Sequence, residues 1–138
     1  MHSKAGMELV SLRLEPGADV RRSLERLVKR DNISAGVVLG AVGSLSKACL
    51  RFADQNRHTT LMGKQEILTL SGTIGKEGVH LHMSVADEQG DCKGGHVVYG
   101  SQVNTTLELV IGLLTGVQFQ RIFDPSTGFK ELEVSPQE

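Results

Sequence analysis

The chain has 138 residues, a formal charge of −1 and 39% hydrophobic residues, with tryptophan absent and aromatics at 4%. That length suits one domain with an aliphatic core, and the near-neutral charge excludes a global positive field drawing it to nucleic acid or anionic lipid. Two cysteines are too few for a disulfide framework, and the longest apolar run, Leu107 to Leu114, is broken by Glu108 and Gly112 and too short to span a membrane.

The first residues carry no secretory pattern, so the expectation is a cytoplasmic protein with reduced thiols. Met7 to Leu14 reads as a strand, broken by Glu15-Pro16-Gly17. Asp19 is a candidate helix cap, and Val20, Leu24, Leu27 and Val28 recur at helical spacing. The opposite face of that helix is basic, with Arg22, Arg26, Lys29 and Arg30 and with Arg21 at its flank. It is either a solvated face or a surface for nucleic-acid phosphates.

Further strands are expected at Ala35 to Val42, Ala48 to Phe52, Leu61-Met62 and Glu66 to Ile74. His80 to Ala86 is the next strand, Asp87 to Gly95 a polar loop, and His96 to Tyr99 extended again. Val103 to Leu114 is taken as a strand on its β-branched pairs, although Leu107-Glu108-Leu109 could be helical. Val117 to Phe123 is the last strand expected, before a turn at Pro125 to Gly128 and a polar tail from Ser135. The fold class is α+β: one domain over residues 7–134, a mixed, mostly antiparallel sheet with one clear basic amphipathic helix, and flexible ends at 1–6 and 135–138.

The most informative residues are three histidines. In Gly78-Val79-His80-Leu81-His82 two stand at i, i+2, and Gly94-Gly95-His96 adds a third. Alternation along a strand puts His80 and His82 on one face, about 6.5 Å apart along the chain, with Val79, Leu81 and Met83 on the other. A third imidazole from a neighbouring strand would complete a three-histidine site with an open position, the pattern of a zinc-type centre. The competing reading is a structural histidine cluster bonded to backbone carbonyls. Glu66 is a candidate to orient an imidazole, ligate the ion or act as base for a water. Asp87, Asp91 and Cys92 could close over the site, and a Cys92 thiolate would turn an open centre into a closed one. Cys49 reads as a small core residue, and His2 and His58 receive no role. Gly94-Gly95 suggests close passage beside another backbone.

The run Gly78 to Asp87, followed by Gly90, Gly94-Gly95-His96 and Gly100, resembles the signature of the PPC (plant and prokaryote conserved) domain. Glu66-Ile67-Leu68-Thr69-Leu70-Ser71-Gly72 is similar to that family's Glu-Ile-Leu-Ser-Leu-Ser-Gly strand, and Gly40-Ala41-Val42-Gly43-Ser44-Leu45 also fits. The resemblance covers about Met7 to Phe123. It implies a largely antiparallel sheet with helical cover, a homotrimer, a DNA-binding role, and zinc held through His80, His82 and His96. Plant members couple the domain to AT-hooks, whereas here no Arg-Gly-Arg-Pro core exists to enter an A·T minor groove. Arg51, Arg57, Arg121 and the helix face are the basic substitutes.

Two functions compete. One is a binding or regulatory module, trimeric, with DNA as a partner and the metal structural or sensory. The other is a metal-dependent small-molecule enzyme in which the ion activates a water and Glu66 is the general base. No complete catalytic set is visible, which leans against the enzyme. A third reading has the histidines binding an anionic metabolite without metal.

Overall fold

Strands dominate the computed structural model, which describes residues 4–137. In chain order the elements are β1 (Gly6–Leu14), α1 (Val20–Asp31), β2 (Gly36–Arg51), β3 (Thr59–Gly75), β4 (Gly78–Ala86), β5 (Cys92–Val97), β6 (Gln102–Thr115), β7 (Val117–Asp124) and β8 (Phe129–Pro136). Six strands make one sheet in the order β1-β6-β2-β3-β4-β5, and β7-β8 form a separate hairpin. Every ladder among the described residues is antiparallel. The expected antiparallel architecture with one helix is present; the parallel component that a mixed sheet allows is not. With a single helix, α+β is a coarse description.

The sheet curls because β2 is long. Beyond Lys47 its β6 neighbour ends, and Leu50 and Arg51 pair instead with Val97 and His96 of β5. Strands β2, β3, β4 and β5 therefore close into a circuit at one end. A Cβ added at Gly95 would stand 2.6 Å from the Arg51 carbonyl oxygen, so β5 can lie this close to β2 only without a side chain there. The expected close backbone passage at the glycine pair is this contact.

Helix α1 starts where its sequence says it should. Asp19 accepts from the Arg22 N–H at 3.0 Å and, with its other oxygen, from the Gly100 N–H at 2.7 Å, tying the helix start to the segment after β5. It stops at Asn32, whose φ of 53° is left-handed. Val20, Leu24, Leu27 and Val28 are buried, and α1 packs on β3 and β4. Leu81, Val85, Ile74, Leu45 and Ile111 complete an aliphatic core of side chains at most 1% exposed. Each such side chain contributes about 1.5–3 kcal/mol through burial.

The structure departs from the expected strand limits in ways with physical causes. Strand β2 runs unbroken through its glycines because bulges between Val38/Gly40 and Gly43/Leu45 absorb the irregularity. Strand β3 is likewise continuous, and its alternation changes phase at a bulge between Ile67 and Thr69. Ile67 and Leu70 are thus both buried while Leu68 is 51% exposed. Strand β5 begins at Cys92, inside the stretch expected to be loop, because the β4-β5 hairpin continues until Ala86 faces Cys92. Strand β8 was not expected and pairs residue for residue with β7. No helix among the described residues is long and apolar enough to cross a membrane.

Candidate metal centre

Strand β4 buries Val79, Leu81, Met83 and Val85 against the helix, which turns His80 and His82 to the opposite, exposed face. The hairpin then places His96 directly across from His82. Ring centroids are 5.0 Å apart for His80–His82, 5.4 Å for His80–His96 and 5.8 Å for His82–His96. One ring nitrogen from each lies within 4.8 Å of the others. A tetrahedral ion with bonds of about 2.0–2.1 Å holds such nitrogens about 3.4 Å apart, so small side-chain rotations close the site. His82 and His96 stand seven residues either side of Gln89. A hairpin centred on that polar turn was the sequence signal for their opposition.

The chemistry of the cluster fits a metal. The Nδ1 of His96 is buried and has no hydrogen-bond partner, a condition that costs about 1–3 kcal/mol for a polar group. Its Nε2 lies 3.5 Å from Nη1 of Arg21, a group that can only donate. Burial, followed by the charges of Arg51, His80, Arg21 and His82, pushes the His96 pKa down to about 4. His80 is also lowered, by burial first and then by His82 and Arg121, with Glu131 opposing. These two rings are therefore neutral at pH 7, each with one unprotonated nitrogen as a transition metal needs, and a metal on His96 would compete with Arg21 if Nε2 is that nitrogen. When bound, an ion held by three histidines supplies Lewis acidity at its remaining position.

The other residues singled out from the sequence lie elsewhere. Glu66 pairs with Ala86, four residues along β4 from His82 and thus on the order of 13 Å away. It borders a separate depression with Ser44, Lys64 and Asn104, outside the histidine cluster. Cys92 also faces Ala86, with its thiol 3.5 Å from the Gly90 carbonyl. Asp87 caps the turn, its Oδ1 accepting from the Gln89 and Asp91 N–H groups at 2.9 and 3.0 Å. Strand geometry separates Cys92 from the three imidazoles, because it projects from the far end of the hairpin. Cys49 is buried, as expected of a core residue, and His2 lies outside the described residues.

The helix face is partly engaged. Arg22 stacks on Tyr99 at 4.2 Å, and Arg30 pairs with Asp31 at 2.9 Å. Arg22, Arg26 and Lys29 border a groove of about 650 Å³ between α1 and the β3-β4 turn, which adds Lys76. Sequence reasoning missed the setting of Arg21, Arg51 and Arg121 around the histidines, since they come from three distant segments.

Residues 1–115 match the Plants and Prokaryotes Conserved (PCC) domain. A hypothetical protein from Salmonella enterica is 38% identical, with 100% of both chains covered and a TM-score of 0.97. A metal-containing protein from Archaeoglobus fulgidus is 28% identical over 94% of this chain and 95% of its own, with a TM-score of 0.80. A structure from Bacteroides thetaiotaomicron with a provisional DNA-binding name shares the fold at 18% identity, covering 94% and 96% of the two chains with a TM-score of 0.80. Among curated relatives, the bifunctional protein GlmU of a Synechococcus strain is 45% identical over 130 residues, which are 94% of this chain. The chain spans about a fifth (21%) of that relative's length. With the fold, the glycine-histidine pattern and these matches in agreement, the chain belongs to the plants-and-prokaryotes-conserved domain family.

Proposed function

We propose that this domain is a homotrimeric binding module that holds a transition metal, zinc by preference, on His80, His82 and His96. The observation carrying this reading is the convergence of three imidazoles on one exposed face, one of them with a buried, partnerless nitrogen. The metal-containing Archaeoglobus relative supports it. Trimerisation draws support from the open face of the sheet, where Met7, Leu9, Val42 and Val110 are exposed together across β1, β6 and β2. Neighbouring exposed apolar side chains are a feature of association surfaces. The separation of Glu66 from the histidines favours a module over an enzyme using that carboxylate as base.

DNA is the partner suggested by the family and by the provisional name of the Bacteroides structure. Its contact surface would be Arg22, Arg26, Lys29 and Arg30, gathered from three subunits, since a single chain of charge −1 offers little general attraction.

Metal analysis of protein purified without a nickel column tests the centre. We expect about one zinc per chain, and its loss in His82→Ala with fold and trimer intact. Protein without metal, or with full metal content in His82→Ala, refutes the assignment. A mobility shift with generic duplex DNA at low salt tests the partner. Absence of binding there, where phosphate contacts are strongest, disposes of the DNA reading.

A further inference from the structure

Three guanidinium groups surround the histidines, each from a different element. Arg51 of β2 is directly opposite His96, so the two side chains share a face. Arg121 of β7 donates from Nη2 to the Thr73 hydroxyl at 3.0 Å, and Thr73 is directly opposite His80. Arg21 of α1 donates to the Val97 carbonyl at 3.1 Å while lying against His96. Among the described residues the Arg21 guanidinium has Glu25 at 3.4 Å, whereas no carboxylate pairs with the guanidinium of Arg51, which donates from Nη1 to the Gln55 carbonyl at 3.3 Å, or of Arg121, whose backbone N–H alone donates to Glu77 Oε2 at 3.2 Å.

A divalent ion on the histidines adds two positive charges where three guanidiniums already stand. The charge of Glu131 also reaches His80 and offsets part of this, but the remaining positive excess disfavours the ion unless further negative charge enters with it. Guanidinium forks match the paired oxygens of carboxylate and phosphate, and Arg51 and Arg121 approach from opposite ends of the histidine row. We propose that the position the three histidines leave open is an oxyanion site, taking a carboxylate or phosphate group held by Arg51 and Arg121. That role presupposes the metal reading above and names the class of ligand the module binds.

Cobalt(II) in place of zinc makes the site visible through its d–d absorption. Inorganic phosphate and acetate are titrated separately into cobalt-loaded protein, with neutral imidazole as the control ligand. One anion is expected to shift the bands saturably, and the tighter of the two assigns the phosphate or carboxylate class. Arg51→Gln and Arg121→Gln are each expected to raise the half-saturating concentration about tenfold while cobalt uptake stays at one per chain, and Arg121→Lys to restore part of the loss. Cobalt-loaded protein whose spectrum ignores both anions, or whose response is equal in the glutamine variants, overturns the oxyanion site alone. Failure to take up cobalt removes the metal reading and the oxyanion site together.

Discussion

The Gly95→Ala substitution probes how the proposed metal centre is assembled. Gly95 precedes His96 and lies against the β2 backbone, where a new Cβ would stand 2.6 Å from the Arg51 carbonyl oxygen and 3.2 Å from its carbon. Both atoms are main chain and cannot rotate away. Strand β5 must move off β2, which weakens the Leu50–Val97 and Arg51–His96 pairing that closes the circuit. Overpacking of this kind costs about 1–3 kcal/mol, a large part of a domain stability of about 5–15 kcal/mol. The same shift carries His96 away from His80 and His82. Gly40→Ala is the matched control, because a Cβ there has open space and the residue lies in another bulged strand segment. Urea unfolding should show a lower midpoint with unchanged slope for Gly95→Ala and no loss for Gly40→Ala. Competition with a chromophoric chelator should show weaker zinc binding for Gly95→Ala only. A Gly95→Ala protein with native stability and native zinc affinity would refute the close-passage argument.

Two other perturbations test separate links. His96 is held near pKa 4 in the fold against an ordinary 6.5, and His80 shifts in the same direction. Because the folded value is depressed, the stability this contributes to metal-free protein is complete above pH 6.5 and declines as pH falls toward 4. Urea midpoints measured at pH 7 and pH 4.5 check this, and an unchanged midpoint would contradict neutral, partly buried rings. Asp19→Ala removes the helix cap to Arg22 and leaves the Gly100 N–H without its acceptor. The expected loss is about 2–4 kcal/mol, read from the same unfolding curves, with Asp19→Asn retaining most of the stability.

What the sequence made legible follows the reach of each periodicity. The 3.6-residue period and a capping aspartate defined α1, and the two-residue period put His80 and His82 on the face opposite Leu81. Both patterns act within one element. Register between elements carries no such signature, which is why Glu66 could be assigned to a strand near the histidines while its distance from them stayed hidden. The phase change at Ile67/Thr69 hides even the face of Leu68, because a bulge inserts a residue without a marked sequence signal. Strand β8 escaped notice because Phe129–Pro136 mixes charge and apolar residues without clear alternation and draws its order from β7.

The histidine cluster occupies a middle position between these cases. Two of its histidines share a strand and the third belongs to the hairpin neighbour, so a hairpin turning about Gln89 brings all three together. The arginines had no comparable rule. Arg51 reaches His96 only because β2 outruns β6, and Arg121 arrives on a hairpin outside the main sheet. The histidines are thus specified by local pattern and the charges around them by topology. A substitution that disturbs the β2–β5 closure should therefore alter anion binding and metal binding together, whereas one on β7 should alter the anion alone.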